Sequence, residues 1–237
     1  MLGPGAPSYV TLAALPSYAP ALMYLSEEIA FPTNPGVSVG LIERGMRANL
    51  REGRYVYGGS TVTQQLVKNV FLRRDKTLAR KLEELVLAWA VEQALPKERI
   101  LELYLNVIEF GPEVWGFAAA ARHYFDRDAD ALTPLEVAFL ATLKPAPHEG
   151  PTYRRRGRSN TRGWWPDRLR VLLERLVEHG GFIDASEAQA YGPYVVALRR
   201  DEATLDAKGR AVLGDGQEVT RIERPEDAAR TRGWGPP

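Results

Sequence analysis

Gly58-Gly59-Ser60-Thr61-Val62-Thr63-Gln64-Gln65-Leu66-Val67-Lys68-Asn69 crowds three hydroxyls and two neighbouring amides between a glycine pair and a lysine. The glycines predict a tight turn, and Ser60 is placed to cap a helix that begins near Thr61. Local propensity accounts for that much. It leaves Gln64, Gln65 and Lys68 without a reason that lies in the stretch itself.

On either side the chain reads as helices. Upstream, Leu22, Leu25 and Ile29 recur at helical spacing over about 19–28, and Phe31-Pro32 ends the pattern, so Glu27 and Glu28 sit where a helix gives way to the loop FPTNPGVS. Leu41, Ile42, Met46 and Leu50 predict a second helix over 39–50. Downstream, the strongest pattern runs from Thr77 to Ala94, with Leu78, Leu82, Leu85, Val86, Trp89 and Ala90 as its expected core stripe. Glu84 lies beside that stripe, four residues from Arg80 and three from Lys81. Pro96 opens a helix carrying Ile100, Leu101, Tyr104 and Leu105. Thr133, Pro134 and Glu136 spell a capping box, Pro166 to His179 carries a leucine face, and Asp184 with Glu187 proposes one more cap. Only YVVAL at 194–198 looks like a strand. The expected fold class is mainly α, with a domain over 9–190 and a C-terminal appendage or partly disordered tail over 191–237.

Composition narrows the functions. Across 237 residues, 31 lysines and arginines face 30 acids, so net charge argues against a nucleic-acid partner. The absence of cysteine excludes disulfides, thiolate catalysis and cysteine metal sites. His123, His148 and His179 show no metal-ligand spacing, and no metal-binding residues are assigned. There is no Walker sequence, and the glycine pair lacks a dinucleotide-binding context. The apolar start of the chain is interrupted by Pro4, Pro7, Pro16 and Pro20, so neither a leader nor a membrane anchor is expected from it. Seven arginines between Tyr153 and Arg170, with Trp164 and Trp165 among them, suit an anion, an acidic lipid surface or simply a solvated loop.

Two acids stand out. Glu27 at a helix end and Glu84 on the long helix suit proton transfer and charge stabilisation at an anomeric carbon if they share a cleft. Otherwise Glu27 is a solvated acid and Glu84 half of a surface ion pair. Lys68, Lys76, Arg80 and Lys81 form a cationic run that would hold a diphosphate if it converges, and would serve solubility if it does not.

In ordered blocks over about 9–189 the sequence resembles the peptidoglycan glycosyltransferase family, the lysozyme-like domain of monofunctional transglycosylases and bifunctional penicillin-binding proteins. The block GGST-x-TQQ-x-x-KN stands intact at 58–69. RK-x-x-E is Arg80, Lys81 and Glu84, and K-x-x-ILE-x-YLN is Lys97, Ile100, Leu101, Glu102, Tyr104, Leu105 and Asn106. Gly111, Gly116, Tyr124-Phe125, the TPLEVAFLATLKPAP run at 133–147 and Arg168 with Val171-Leu172 add further matches. The first block departs from ED-x-x-F-x-x-H-x-G. Glu27, Phe31 and Gly36 are kept, while Glu28 replaces aspartate and Asn34 replaces histidine.

The resemblance implies a two-lobed lysozyme-like fold and polymerisation of lipid II into glycan strands. Glu27 would take the proton from the acceptor sugar's 4-hydroxyl, which attacks the anomeric carbon of the growing lipid-linked glycan as polyprenyl diphosphate leaves, with inversion. Glu84 would position the acceptor or organise the leaving-group region. Lys68, Lys76, Arg80 and Lys81 would contact sugar or phosphate, and Ser60, Thr61, Gln64 and Gln65 would align the donor. Glu28, Phe31, Asn34, Gly36, Asn69, Glu102, Tyr104 and Asn106 would be structural members of the motifs. The implied partners are lipid II, a membrane surface and cell-wall assembly proteins, at the outer or periplasmic face of a bacterial cytoplasmic membrane. No cofactor is assigned, though a divalent cation suits a diphosphate. A weakly active lipid II-binding scaffold and a lysozyme-like hydrolase are the alternatives.

Overall fold

The computed structural model describes residues 8–53, 59–73, 77–199, 204–205 and 211–212. Ten α-helices carry the described chain: α1 (Tyr18–Leu25), α2 (Val39–Glu52), α3 (Val62–Phe71), α4 (Leu78–Ala94), α5 (Lys97–Val107), α6 (Phe117–Phe125), α7 (Pro134–Leu143), α8 (Gly150–Arg156), α9 (Trp164–Glu178) and α10 (Ala185–Ala190). A small antiparallel hairpin, β1 (Glu109–Gly111) with β2 (Val114–Trp115), follows α5, and two further residue pairs, β3 (Thr204–Leu205) and β4 (Ala211–Val212), form another. The mainly α expectation therefore holds, while the first hairpin was not anticipated. Among the described residues YVVAL makes one antiparallel bridge, Arg158 with Ala197. Even so, Val196 and Leu198 are buried, and the segment to Arg199 packs on the helices.

Caps explain where the helices begin. Thr133 and Glu136 form the expected capping box, with Pro134 in the first turn, and Asp184 accepts from the Glu187 N–H. Helix α3 corrects the reading of its start. Its N-cap is Thr61, in a capping box with Gln64, and Ser60 instead accepts from Lys81 Nζ at 3.0 Å. The reason is reach, since only the hydroxyl one residue before the first helical turn meets the N–H of the third helical residue.

Helix α1 packs on α7 and α9, which also pack on each other, while α3 packs between α4 and α5; α5 touches α1 and joins the two groups. The core is one aliphatic cluster centred on Leu22, Ile100, Tyr104, Leu105 and Leu140, continued through an aromatic group of Tyr124, Phe139, Tyr153 and Trp165. Trp165 belongs to that core and not to an interfacial contact. Two glycines permit close approach beside α3. A side chain on Gly59 would collide with the Leu41 carbonyl and Ile42 backbone of α2, and Gly36, at φ +96°, lies against Glu92 and the Ala88 carbonyl of α4.

The long helix is turned opposite to the expected core stripe. Leu78, Leu82, Val86 and Trp89 are 86, 64, 65 and 59% exposed, and Ala90 also faces solvent, while the inward side carries Glu84 and Ala88. Met46, Leu50 and Phe71 are exposed as well. Among the described residues no helix is long and apolar enough to cross a membrane.

Candidate active site

Helix α1 ends at Leu25, and Glu27 lies in the turn that follows, half-buried. Its Oε2 accepts from Gln65 Nε2 at 3.1 Å, and its Oε1 lies 3.5 Å from the buried ammonium of Lys144. Tyr104, buried on α5, donates to Gln65 Oε1 at 3.3 Å. That donation fixes which way the Gln65 amide points, and its NH2 then faces Glu27.

The neighbouring residue does the same for the second acid. Gln64 Nε2 donates to Glu84 Oε1 at 3.2 Å, and its own carbonyl accepts the Thr61 N–H. Glu84, at 2% exposure, is no surface acid: Arg80 pairs with Oε2 at 3.0 Å and Lys81 with Oε1, while Lys81 also reaches Ser60. Adjacent glutamines on the first turn of α3 thus tie Glu27 and Glu84 to that one turn, with successive Cα atoms only about 3.8 Å apart.

One turn further along, Lys68 is exposed and makes no hydrogen bond or ion pair among the described residues. Surrounding protein nevertheless lowers its pKa; Glu84 and Glu27 pull it up, and Arg80 and Lys81 push it down. The cation thus stands within electrostatic reach of both acids and both paired cations, with its donors free to meet an anion.

The remaining predicted residues support this cluster. Thr61 is fully buried; its hydroxyl donates to the Gly36 carbonyl at 2.6 Å and accepts the Gln64 N–H. The ligand-facing hydrogen bonds expected of Thr61 and Gln64 are spent inside the protein, beneath the site. Glu28 Oε2 accepts the Val62 N–H at 3.0 Å, at the buried N-terminal end of α3, and Asn34 accepts the Gly36 N–H at 2.9 Å. Phe31 packs on Tyr24 under the Lys97 ammonium. Glu102 and Asn106 hold the segment before α1: Glu102 accepts from Tyr9 at 2.6 Å and from the Leu12 N–H, and Asn106 pairs with both backbone groups of Val10 at 2.8 Å. Asn69 is exposed beyond Lys68. Lys76 and Gly58 lie outside the described residues.

Spacing did not reveal Lys144, Lys97 or Glu92 as neighbours of these groups. Lys97 bridges the Asn34 carbonyl and Glu92, and Glu92 also takes a hydrogen bond from Thr63. The available signal for Lys144 was a single cation directly after α7, whose side chains from Val137 to Leu143 are apolar except for Thr142. Among the described residues no group of acids and histidines is arranged to hold a metal ion.

A family model described as transglycosylase matches residues 4–176. The chain belongs to the transglycosylase family. Relatives named biosynthetic peptidoglycan transglycosylase are 44% identical over 133 residues in Burkholderia cenocepacia and Burkholderia multivorans, covering 54% of this chain and 54% of theirs. One from Alcanivorax borkumensis is 42% identical over 139 residues, covering 57% of each. The alignments therefore span about half the length of these curated relatives. The transglycosylase match takes in every residue of the two acid clusters.

Proposed function

We propose that this protein is a peptidoglycan glycosyltransferase that joins lipid II units into glycan strands at the bacterial cell envelope. The observation that carries this reading is the pair of adjacent glutamines, Gln64 on Glu84 and Gln65 on Glu27, with Lys68, unpaired among the described residues, one turn away. Glu27 is the half-buried acid and retains access to an acceptor hydroxyl. It removes the 4-hydroxyl proton as that oxygen bonds to the anomeric carbon of the donor and the bond to the diphosphate oxygen breaks. Inversion follows from attack opposite the leaving group.

Glu84 is too enclosed by Arg80, Lys81 and Gln64 to act as a second base. Its part is to hold two cations beside Lys68, so that an incoming diphosphate meets preorganised positive charge. Ser60 and Gln65 are the members of the opening stretch left to touch sugar. The departures at Glu28 and Asn34 are compatible with activity, because both side chains hold backbone next to the site, Glu28 at Val62 and Asn34 at Gly36.

The substrate's lipid requires a bilayer nearby. The exposed line Leu78, Leu82, Val86 and Trp89, about 17 Å long at helical rise, suits contact with acyl chains, with Trp89 fitted to the interface.

Purified protein incubated with defined lipid II is expected to yield glycan polymer. Glu27→Gln should lower the rate by at least about a hundredfold, the scale of a lost general base, while thermal unfolding stays in place. Undiminished turnover by that variant defeats the assignment of the base. Lipid II binding without polymer would make the protein a scaffold, and release of free sugar from mature glycan would make it a hydrolase.

A further inference from the structure

The C-terminal end of α1 is gripped by three cations, one directly after α7 and two from α9. Lys144, directly after α7, donates to the Met23 carbonyl at 2.6 Å and to the Ser26 hydroxyl at 2.8 Å. From α9, Arg175 donates to the Leu25 carbonyl at 2.7 Å and Arg168 to the Ser26 carbonyl at 3.3 Å. Cations suit the negative end of a helix. Lys144 alone goes further, because its Nζ also lies 3.5 Å from Glu27 Oε1. The groups facing that ammonium are Glu27 from the turn after α1, the Tyr104 ring from α5 at 5.5 Å and Arg168 from α9.

We propose that Lys144 is a positioning residue for the acceptor step, fixing the Glu27 carboxylate through Oε1 while Gln65 holds Oε2. The inference rests on the transferase reading above. Two partners on two carboxylate oxygens leave Glu27 one orientation, and displacement of a reacting group by an ångström costs about a hundredfold in rate.

The energetics agree with the geometry. Burial lowers the Lys144 pKa to about 8, although Glu27 pulls it up; Arg168 adds to the lowering. The folded protein thus holds this proton less tightly than the unfolded chain, so the charge costs folding stability below about pH 8, and that cost fades as pH rises toward the ordinary lysine value of 10.5. A buried cation kept beside a carboxylate at a cost to stability marks a functional arrangement.

The test compares wild type, Lys144→Met, Lys144→Arg and Arg175→Met in lipid II polymerisation from pH 6 to 10. Lys144→Met is expected to lose about a hundredfold in kcat, with KM within about threefold, and to unfold within about 5 °C of wild type. The wild-type rate should fall above about pH 8 as Lys144 loses its proton, and Lys144→Arg should keep part of kcat and abolish that fall. Arg175→Met should lose thermal stability and keep the wild-type pH profile. Retention of wild-type kcat in Lys144→Met overturns the proposal. So does an alkaline fall that persists in Lys144→Arg, which would point to Lys68. A readout independent of turnover is the side-chain 15N resonance of Lys144, whose midpoint should drop in Glu27→Gln; an unmoved midpoint also overturns it. If wild type makes no polymer, this titration still judges the Lys144–Glu27 coupling, and the transferase reading fails alone.

Discussion

Glu28 shows how a single methylene can be used. Where the family's first block carries aspartate, the longer side chain reaches the Val62 N–H, one of the donors that the start of α3 leaves without a helical partner. Its other oxygen is buried without a hydrogen bond among the described residues. Burial raises the Glu28 pKa, and the Val62 N–H and the Lys97 charge only partly offset this. A raised carboxyl pKa means that the folded state binds the proton more tightly than the unfolded chain, so stability is lost as pH rises through the carboxyl range. Glu28→Gln removes that loss. In chemical unfolding at pH 4, 5 and 7, the variant should gain on wild type as pH increases, and a constant difference would refute the assignment. Thr61 makes a second residue-scale case. Thr61→Ala removes the cap and the bond to the Gly36 carbonyl, at a cost of about 1–2 kcal/mol, which Thr61→Ser should largely restore in the same unfolding measurement. The importance of this residue was legible in the sequence but its role was not. A hydroxyl in a motif gives no sign of whether it faces ligand or backbone until the Gly36 loop is seen to lie across it.

At the scale of elements, caps made the helix starts readable while faces stayed ambiguous. Thr133 with Glu136 and Asp184 with Glu187 are local devices, written within four residues, and they end up where the sequence places them. The face of α4 is decided by long-range contacts. A row of Leu78, Leu82, Val86 and Trp89 at helical spacing announces an amphipathic helix, and hydrophobic burial alone does not distinguish a protein core from another apolar surface. What turns the helix is the other side: Glu84 must meet Gln64, Ala88 is fully buried, and its carbonyl lies against Gly36. Leu82→Ser and Val86→Ser should therefore each change unfolding free energy by no more than about 0.5 kcal/mol, as at open surface sites. Ala88→Leu should cost about 1–3 kcal/mol by overpacking. A reversed order of these effects in chemical unfolding would place the leucine line in the core after all.

Across the whole molecule, the sequence specified which residues matter better than how they meet. Three motif blocks named Glu27, Gln64, Gln65, Lys68 and Glu84, and these converge on one turn of α3. Lys144 lies far along the chain from Glu27, and periodicity carries no information about such a contact. The same assembly gives the molecule two different surfaces. The arginine segment is partly committed to internal contacts, with Arg168 on Ser26, Arg156 on Asn160 and Arg170 on Glu174, whereas the α4 line is open. If the protein works on a bilayer-borne substrate, the apolar line is the better candidate for the contact that holds it there. Burying a leucine or valine in acyl chains is worth about 1.5–3 kcal/mol, so the double variant Leu82→Ser with Val86→Ser should weaken binding to neutral phosphatidylcholine vesicles by at least about a hundredfold. Added salt should leave that binding nearly unchanged, since surface charges are what salt screens. Flotation of wild type and the double variant, at low and high salt, measures both effects. Equal flotation of the two proteins, or wild-type binding that salt abolishes, would shift the contact from α4 to the arginines.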